Sequence, residues 1–413
     1  MADGLADWIH TNGHAVEAFD LDAPLDDLAP LVEIVGSARV VGLGESSHHV
    51  REFYQVRHRI LRFLVERCGF TVFAVEAPFT GGHLLDEWLD GGAGAVEDVT
   101  AEAIALRLGD VPELHDALRW LRARRGGGAP IRYAGVDLPG SLGSPLPALD
   151  AIAAYVEAGD PAALPILERA RDLVGRFHDP EPMKVVFGYP SVDQAERDAL
   201  TAALAELAAR MQRLAHRGTG EHAVATHHLR GAWLLDQLHR AMATEGIEVA
   251  STFRDLYLAE TVLHLLARDP GARIVLAAHN WHLKKAPEPF GNGELFPAGY
   301  HLAAELGDDY RAIGVSTRGG RTAVASGDFT DTSAFPFREA PLPPLEDTAV
   351  EAAFPASAPW TLADLRAARE VTDAQRYRRM RMADYFCDQP AFDCFDAIAC
   401  VTETNGTTLT RSG

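Results

Sequence analysis

Short apolar runs, rich in β-branched residues, recur along the chain at 38–43, 71–75, 131–136, 273–278, 311–316 and 396–401, most of them bounded by Gly or Pro. Runs of this length with little alternation of polarity predict strands buried on both faces of a parallel or mixed sheet. Between the first two lies 52–67, where Phe53, Val56, Ile60, Phe63 and Leu64 recur at helical spacing, and Cys68-Gly69 supplies a glycine stop. This is a β-α-β unit with a right-handed crossover. Residues 146–268 differ. Opened by Pro145-Leu146-Pro147, they show Ala/Leu/Arg-rich helical periodicity, as in 198–215 and 222–243, and little strand signal. The predicted organisation is an α/β core with a largely parallel central sheet in two parts, 1–145 and 269–413, and a helical insertion, 146–268, walling a deep cleft. The proline-rich 335–346 reads as an extended crossing segment, and no internal repeat is found.

Composition narrows the class. The 413 residues are 47% hydrophobic and 23% charged, enough apolar material for a sizeable core. A net charge of −21 repels phosphate backbones and argues against a nucleic-acid partner. It suits a neutral or cationic small substrate better than an anionic one. The start, Met1-Ala2-Asp3-Gly4-Leu5-Ala6-Asp7, lacks the basic and apolar regions of a signal peptide, and no run of 18 apolar residues occurs. Cys68, Cys387, Cys394 and Cys400 form no CxxC pair and read as free thiols, so the expected location is cytoplasmic.

Residues with chemical capacity sit where the predicted strands end. The first runs into Gly44-Glu45-Ser46-Ser47-His48-His49, the second ends at Glu76, the third at Asp137, and the fourth at His279-Asn280-Trp281-His282, followed by Lys284. Open α/β sheets bind ligands beyond the carboxyl ends of their strands, so these segments should converge on one crevice. His48 and His49 are adjacent and cannot both face it. Arg57 borders the apolar stripe of the first helix, free either to snorkel or to point back at Glu45 and Glu76.

Several familiar chemistries are excluded. The GxSxG elbow, HExxH, the dinucleotide fingerprint and the Walker A lysine are all missing. What remains is glutamates and histidines suited to general acid/base catalysis with electrostatic stabilisation, or alternatively to a metal site. The candidate catalytic set is His48, Glu76, His279, Glu45, Arg57 and His282. His49, Asp137, Arg254 and Lys284 are read as substrate contacts.

At these residues the sequence resembles the erythromycin esterase family. The resemblance rests on Ala38-Arg39-Val40-Val41-Gly42-Leu43-Gly44-Glu45-Ser46-Ser47-His48, Glu52-Phe53 with Arg57, and the run from Gly69-Phe70 to Glu76. Ala134-Gly135-Val136-Asp137, Arg254-Asp255, Ala278-His279-Asn280-Trp281-His282 and Phe392-Asp393 follow in order. It implies a mixed α/β fold with a helical region closing a cleft, hydrolysis of a macrolide lactone, and no metal or other cofactor. By the same resemblance His48 is the essential base, with Glu76, Arg57, His279 and His282 around it. On this reading Glu76 orients His48, Glu45 holds the water or fixes His279, and Arg57, His279 and His282 are candidates for the oxyanion. Two other readings use the same residues: a non-hydrolytic natural-product tailoring enzyme (cyclisation, isomerisation or epoxide opening), and a metal- or haem-binding protein built on His279 and His282.

Overall fold

The structure is a computed structural model that describes residues 4–218, 220–325 and 337–410. Met1, Ala2 and Asp3 lie outside the described residues, as do Phe335 and Pro336 of the proline-rich segment.

Eight strands form the central sheet: β1 (His14–Val16), β2 (Val40–Leu43), β3 (Val72–Pro78), β4 (Arg132–Asp137), β5 (Ile274–Ala277), β6 (Tyr310–Thr317), β7 (Trp360–Asp364) and β8 (Ala397–Val401). Their order is β1-β7-β8-β6-β2-β5-β3-β4. From β8 to β4 every neighbour is parallel. At the other side β7 runs antiparallel to β8, and β1 antiparallel to β7. All six apolar runs are therefore strands of one mixed, largely parallel sheet. The two strands that the pattern missed are the antiparallel ones.

Strand alternation divides the core. Val41, Leu43, Phe73 and Val275 point to one face, where they meet Phe53, Val56, Ile60, Phe63 and Leu64 of α1 (Arg51–Cys68). Burial of each such side chain is worth roughly 1.5–3 kcal/mol relative to exposure. The helix stops at Gly69, whose φ of 72° is left-handed, as the glycine stop predicts. Val40, Val72, Ile274 and Leu276 point to the other face.

Between β4 and β5 the chain is helical. Its longest elements are α2 (Gln194–Gln212), α3 (Gly220–Thr244) and α4 (Ile247–Arg268). Leu149, Leu167, Leu200 and Leu204 centre a separate apolar cluster there, whereas Leu258, Val262 and Leu266 of α4 pack on the sheet. A one-turn helix, α5 (Asn280–Leu283), follows β5. Part of the expected crossing segment is a strand: Phe337–Pro341 pairs antiparallel with Arg321–Ala325. Among the described residues no helix is long and apolar enough to cross a membrane.

Candidate active site

The loop after β2 is anchored before it displays any chemistry. A Cβ on Gly44 would lie 1.9 Å from Asn280 Oδ1, so only glycine fits. Asn280 donates from Nδ2 to the Val315 carbonyl at 2.8 Å and accepts from the Val315 N–H at 3.2 Å. Its own N–H donates to the Glu45 carbonyl at 2.8 Å. One amide thus locks the ends of β2, β5 and β6 together. His49 takes a left-handed φ of 58°, which turns it away from its neighbour. Its ring packs 5.1 Å from that of Phe337.

His48 Nδ1 lies 2.8 Å from Glu45 Oε1, and Arg57 Nη1 lies 3.2 Å from Glu45 Oε2. Glu45 and Arg57 are buried, while the His48 side chain is 29% exposed. Burial opposes the charge on Glu45, but Arg57 and His48 outweigh it and hold the carboxyl below its usual range. Burial likewise opposes the charge on His48, yet the hydrogen bond and charge of Glu45, with Glu76 behind, raise the imidazole above its ordinary value. With Nδ1–H directed at Glu45, the basic lone pair of neutral His48 is on Nε2.

A second set of charges lies behind the first. Arg254 binds Asp137 through Nε at 2.9 Å and Nη2 at 2.7 Å, and also reaches Glu76 Oε1 at 2.7 Å. Glu76 Oε2 accepts the His279 N–H at 2.8 Å. His282 Nδ1 lies 2.7 Å from Asp255 Oδ1, and its Nε2 lies 3.4 Å from Glu76 Oε1. Nε2 is also 3.2 Å from Arg254 Nη1, a contact that would suit a neutral ring. Charge balance decides between the two. Asp137, Glu76 and Asp255 are buried carboxylates, and Arg254 alone cannot neutralise them, so His282 is the imidazolium. Burial pulls its pKa down, but Asp255 and Glu76 push it up to about 10. Glu76, opposed by burial but held by His282 and Arg254, lies well below the usual carboxylate range.

His279 differs. Its Nδ1 accepts the Trp281 N–H at 3.2 Å and caps α5, so the ring proton of the neutral form is on Nε2. Burial and the neighbouring charge of His48 hold its pKa down to about 3. The His48 and His279 rings stand 5.2 Å apart. Two adjacent imidazoles are thus driven in opposite directions, one toward basicity and one toward neutrality, the pattern that separates acid–base roles. Glu45, His48, Arg57 and Glu76 also border a pocket with apolar walls at Phe73, Val75, Ile104 and Leu108.

The structure thus brings together His48, Glu76, His279, Glu45, Arg57 and His282, and places Asp137 and Arg254 beneath them. It corrects several partnerships. Glu45, not Glu76, sits against His48 Nδ1, three residues away on the same loop. Arg57 is engaged by Glu45, and His282 by Asp255 and Glu76, so neither is free for an oxyanion. Asp137 is fully buried against Arg254, and the two bind each other rather than an incoming molecule. His49 faces Phe337. Lys284 is buried, sits 2.5 Å from Glu288 Oε2 and stacks 3.7 Å over Trp281. Asp255, Asn280 and His58 were missed as members. His58 lines the pocket, its pKa pulled down to about 3 by burial and by Arg57, so the ring is neutral at ordinary pH. For Asp255 a signal existed: it is a charged residue beside Leu258, Ala259 and Val262 on the buried side of α4. Among the described residues no three His, Cys, Asp or Glu side chains converge as metal ligands.

Comparison with known proteins sets this geometry in context. A profile of the erythromycin esterase family matches residues 65–404. The chain belongs to the erythromycin esterase family. The match begins after the Glu45–His48 loop. Erythromycin esterase type II of Escherichia coli is 30% identical over 316 residues, 73% of this chain and 74% of the relative. Erythromycin esterase type I of Escherichia coli is 27% identical over 398 residues, 92% and 94% of the two chains. Among solved structures, an erythromycin esterase mutant in its open conformation superposes with a TM-score of 0.82 at 24% identity, covering 97% of this chain and 100% of that one. A succinoglycan biosynthesis protein superposes with a TM-score of 0.80 at 18% identity, covering 98% of each chain. These structural likenesses speak to the fold, which is the mixed α/β architecture described above.

Proposed function

We propose that the chain is a hydrolase that opens a macrolide-type lactone, or a related ester, with water activated by His48. Membership of the erythromycin esterase family and the two Escherichia coli relatives support ester hydrolysis. The observation that carries the mechanism is the buried Arg57–Glu45–His48 series ending on a partly exposed imidazole. Arg57 holds Glu45 ionised, and Glu45 holds the His48 tautomer whose Nε2 accepts a proton from water. The resulting hydroxide adds to the ester carbonyl. His48 then returns the proton to the departing alkoxide, leaving a carboxylic acid and an alcohol. A positioned base of this kind contributes roughly 10²–10⁴-fold.

His279 Nε2–H is the donor for the developing oxyanion, and a neutral ring serves better there because it does not compete with His48 for the proton. Such a donor is worth roughly 2.7–4 kcal/mol. The helices of 146–268 form the wall that selects which ester enters, as a unit distinct from the two core parts, 1–145 and 269–413.

The test is incubation of the protein with a panel of macrolides and simple lactones, followed by product mass. A gain of one water supports hydrolysis. A product of unchanged mass would instead favour a non-hydrolytic tailoring reaction on the same residues. His48→Ala, which removes a partly exposed ring with one polar partner, should fold normally and lose turnover. Full activity in that variant ends the assignment.

A further inference from the structure

Every residue of the acid–base set described above lies on the sheet core except two, Arg254 and Asp255, which are consecutive on α4 of the helical segment. Asp255 is 2% exposed. Its Oδ1 accepts from His282 Nδ1 at 2.7 Å and from the Ala298 N–H at 2.9 Å. His282 faces Glu76, and Glu76 holds the backbone N–H of His279, the residue whose ring stands against His48.

We infer that Asp255 is a positioning residue which, through His282 and Glu76, fixes the place of His279 and ties the helical segment to the catalytic layer. The inference rests on the esterase reading for its kinetic consequence, while its electrostatic one stands on the contacts of His282 whether or not that reading holds. The logic is that of a chain of partial neutralisations. Glu76 is buried and, with the Arg254 guanidinium on one oxygen and the His279 N–H on the other, is held as the carboxylate. Arg254 is shared with Asp137, so it cannot supply the whole compensating charge. His282 supplies the rest, but only as an imidazolium, and a buried imidazolium needs an anion on its other nitrogen. Asp255 is that anion. The charged groups facing His282 are Asp255 and Arg254 from α4 and Glu76 from β3, so removing the Asp255 charge leaves Arg254 repelling the ring from one side. His282 then loses its proton, Glu76 loses a partner, and the His279 backbone is held less firmly. The same path runs in reverse: a displacement of α4 by whatever binds the helical wall reaches His279 through two side chains.

The experiment uses the full chain with Asp255→Asn and Asp255→Glu, and two readouts. The first is the ¹⁵N NMR titration of His282, assigned by its disappearance in His282→Gln. In the native protein the ring should remain an imidazolium past pH 9, in line with its pKa of about 10. In Asp255→Asn it should titrate at least tenfold more readily, whereas Asp255→Glu, which keeps the charge, should restore the high value. The second is steady-state kinetics on whichever ester the native enzyme turns over. Asp255→Asn should lower kcat roughly 10–100-fold, the range for outer-layer partners, with KM within threefold and partial rescue by Asp255→Glu. A neutral His282 at pH 7 in the native protein, native kcat in Asp255→Asn, or a rise in KM alone would each overturn the inference. If Asp255→Asn does not fold, the native titration decides, since an ordinary histidine value refutes the role and a high one upholds it. If no ester is hydrolysed, the esterase reading fails while the titration still judges Asp255.

Discussion

Glu45→Gln is the most direct probe of the proposed base, because it removes one charge at nearly constant volume. Glu45 uses one oxygen for His48 at 2.8 Å and the other for Arg57 at 3.2 Å. Arg57 offers only donors, so the glutamine must turn its carbonyl toward Arg57 and its NH₂ toward His48. The ring then accepts on Nδ1 and carries its proton on Nε2, the wrong tautomer for taking a proton from water. Two estimates agree on the size. A general base contributes roughly 10²–10⁴-fold, which is about 2.7–5.4 kcal/mol at 1.36 kcal/mol per decade. An ion pair at about 4 Å in a medium of effective dielectric about 20 is worth roughly 4 kcal/mol. Glu45 is 3% exposed and on the proposed reading acts through His48, so KM should hardly move. The assay is kcat and KM on the macrolide identified by product mass, with a thermal melt to show that the buried Arg57 is tolerated. A folded Glu45→Gln enzyme with kcat within a few fold of native, or one in which KM rises while kcat stands, refutes the series as a catalytic device.

Two more predictions concern the scaffold. Gly44→Ala forces a Cβ to within 1.9 Å of Asn280 Oδ1, so Asn280 must release Val315. Lower melting temperature and lost turnover together are expected, and an unaffected enzyme would show that the lock is dispensable. Stability should also depend on pH with two signs. His282, raised to about 10, contributes stability that is full below the ordinary ~6.5 and drains away as pH climbs toward 10. Glu76, held low, contributes stability present above about 4.5 and lost as pH falls through its depressed value. The melting temperature measured against pH should therefore peak between these limits. A flat profile from pH 6.5 to 10 contradicts the imidazolium.

Much of this was legible in the chain, for physical reasons. A strand buried on both faces must be apolar throughout, which made all six parallel strands visible. β1, with three residues, and β7, ending in Asp364, lie toward the antiparallel side and carry no such run. The polar cluster was visible because polar residues directly after apolar strands are expensive to bury unless they are partnered. Which carboxylate serves which imidazole was not visible, since a loop decides it: Glu45 reaches His48 because the turn between them is tight. Lys284 looked available beside His282, but a one-turn helix points it into the interior, toward Glu288. Asp255 went unremarked as a participant because its partner lies 27 positions away.

The position of β8 bears on how the molecule is made. Residues 397–401 form an inner strand, with β6 on one side and β7 on the other. During synthesis the sheet therefore waits, the edge at β6 open, until residues 397–401 have left the ribosome. β1 waits as well, since His14 finds its partner only at Leu362. Pairing at such separation is slow and leaves unpaired edges exposed in the meantime, so nascent chains stalled before residue 397 are the species most in need of a chaperone.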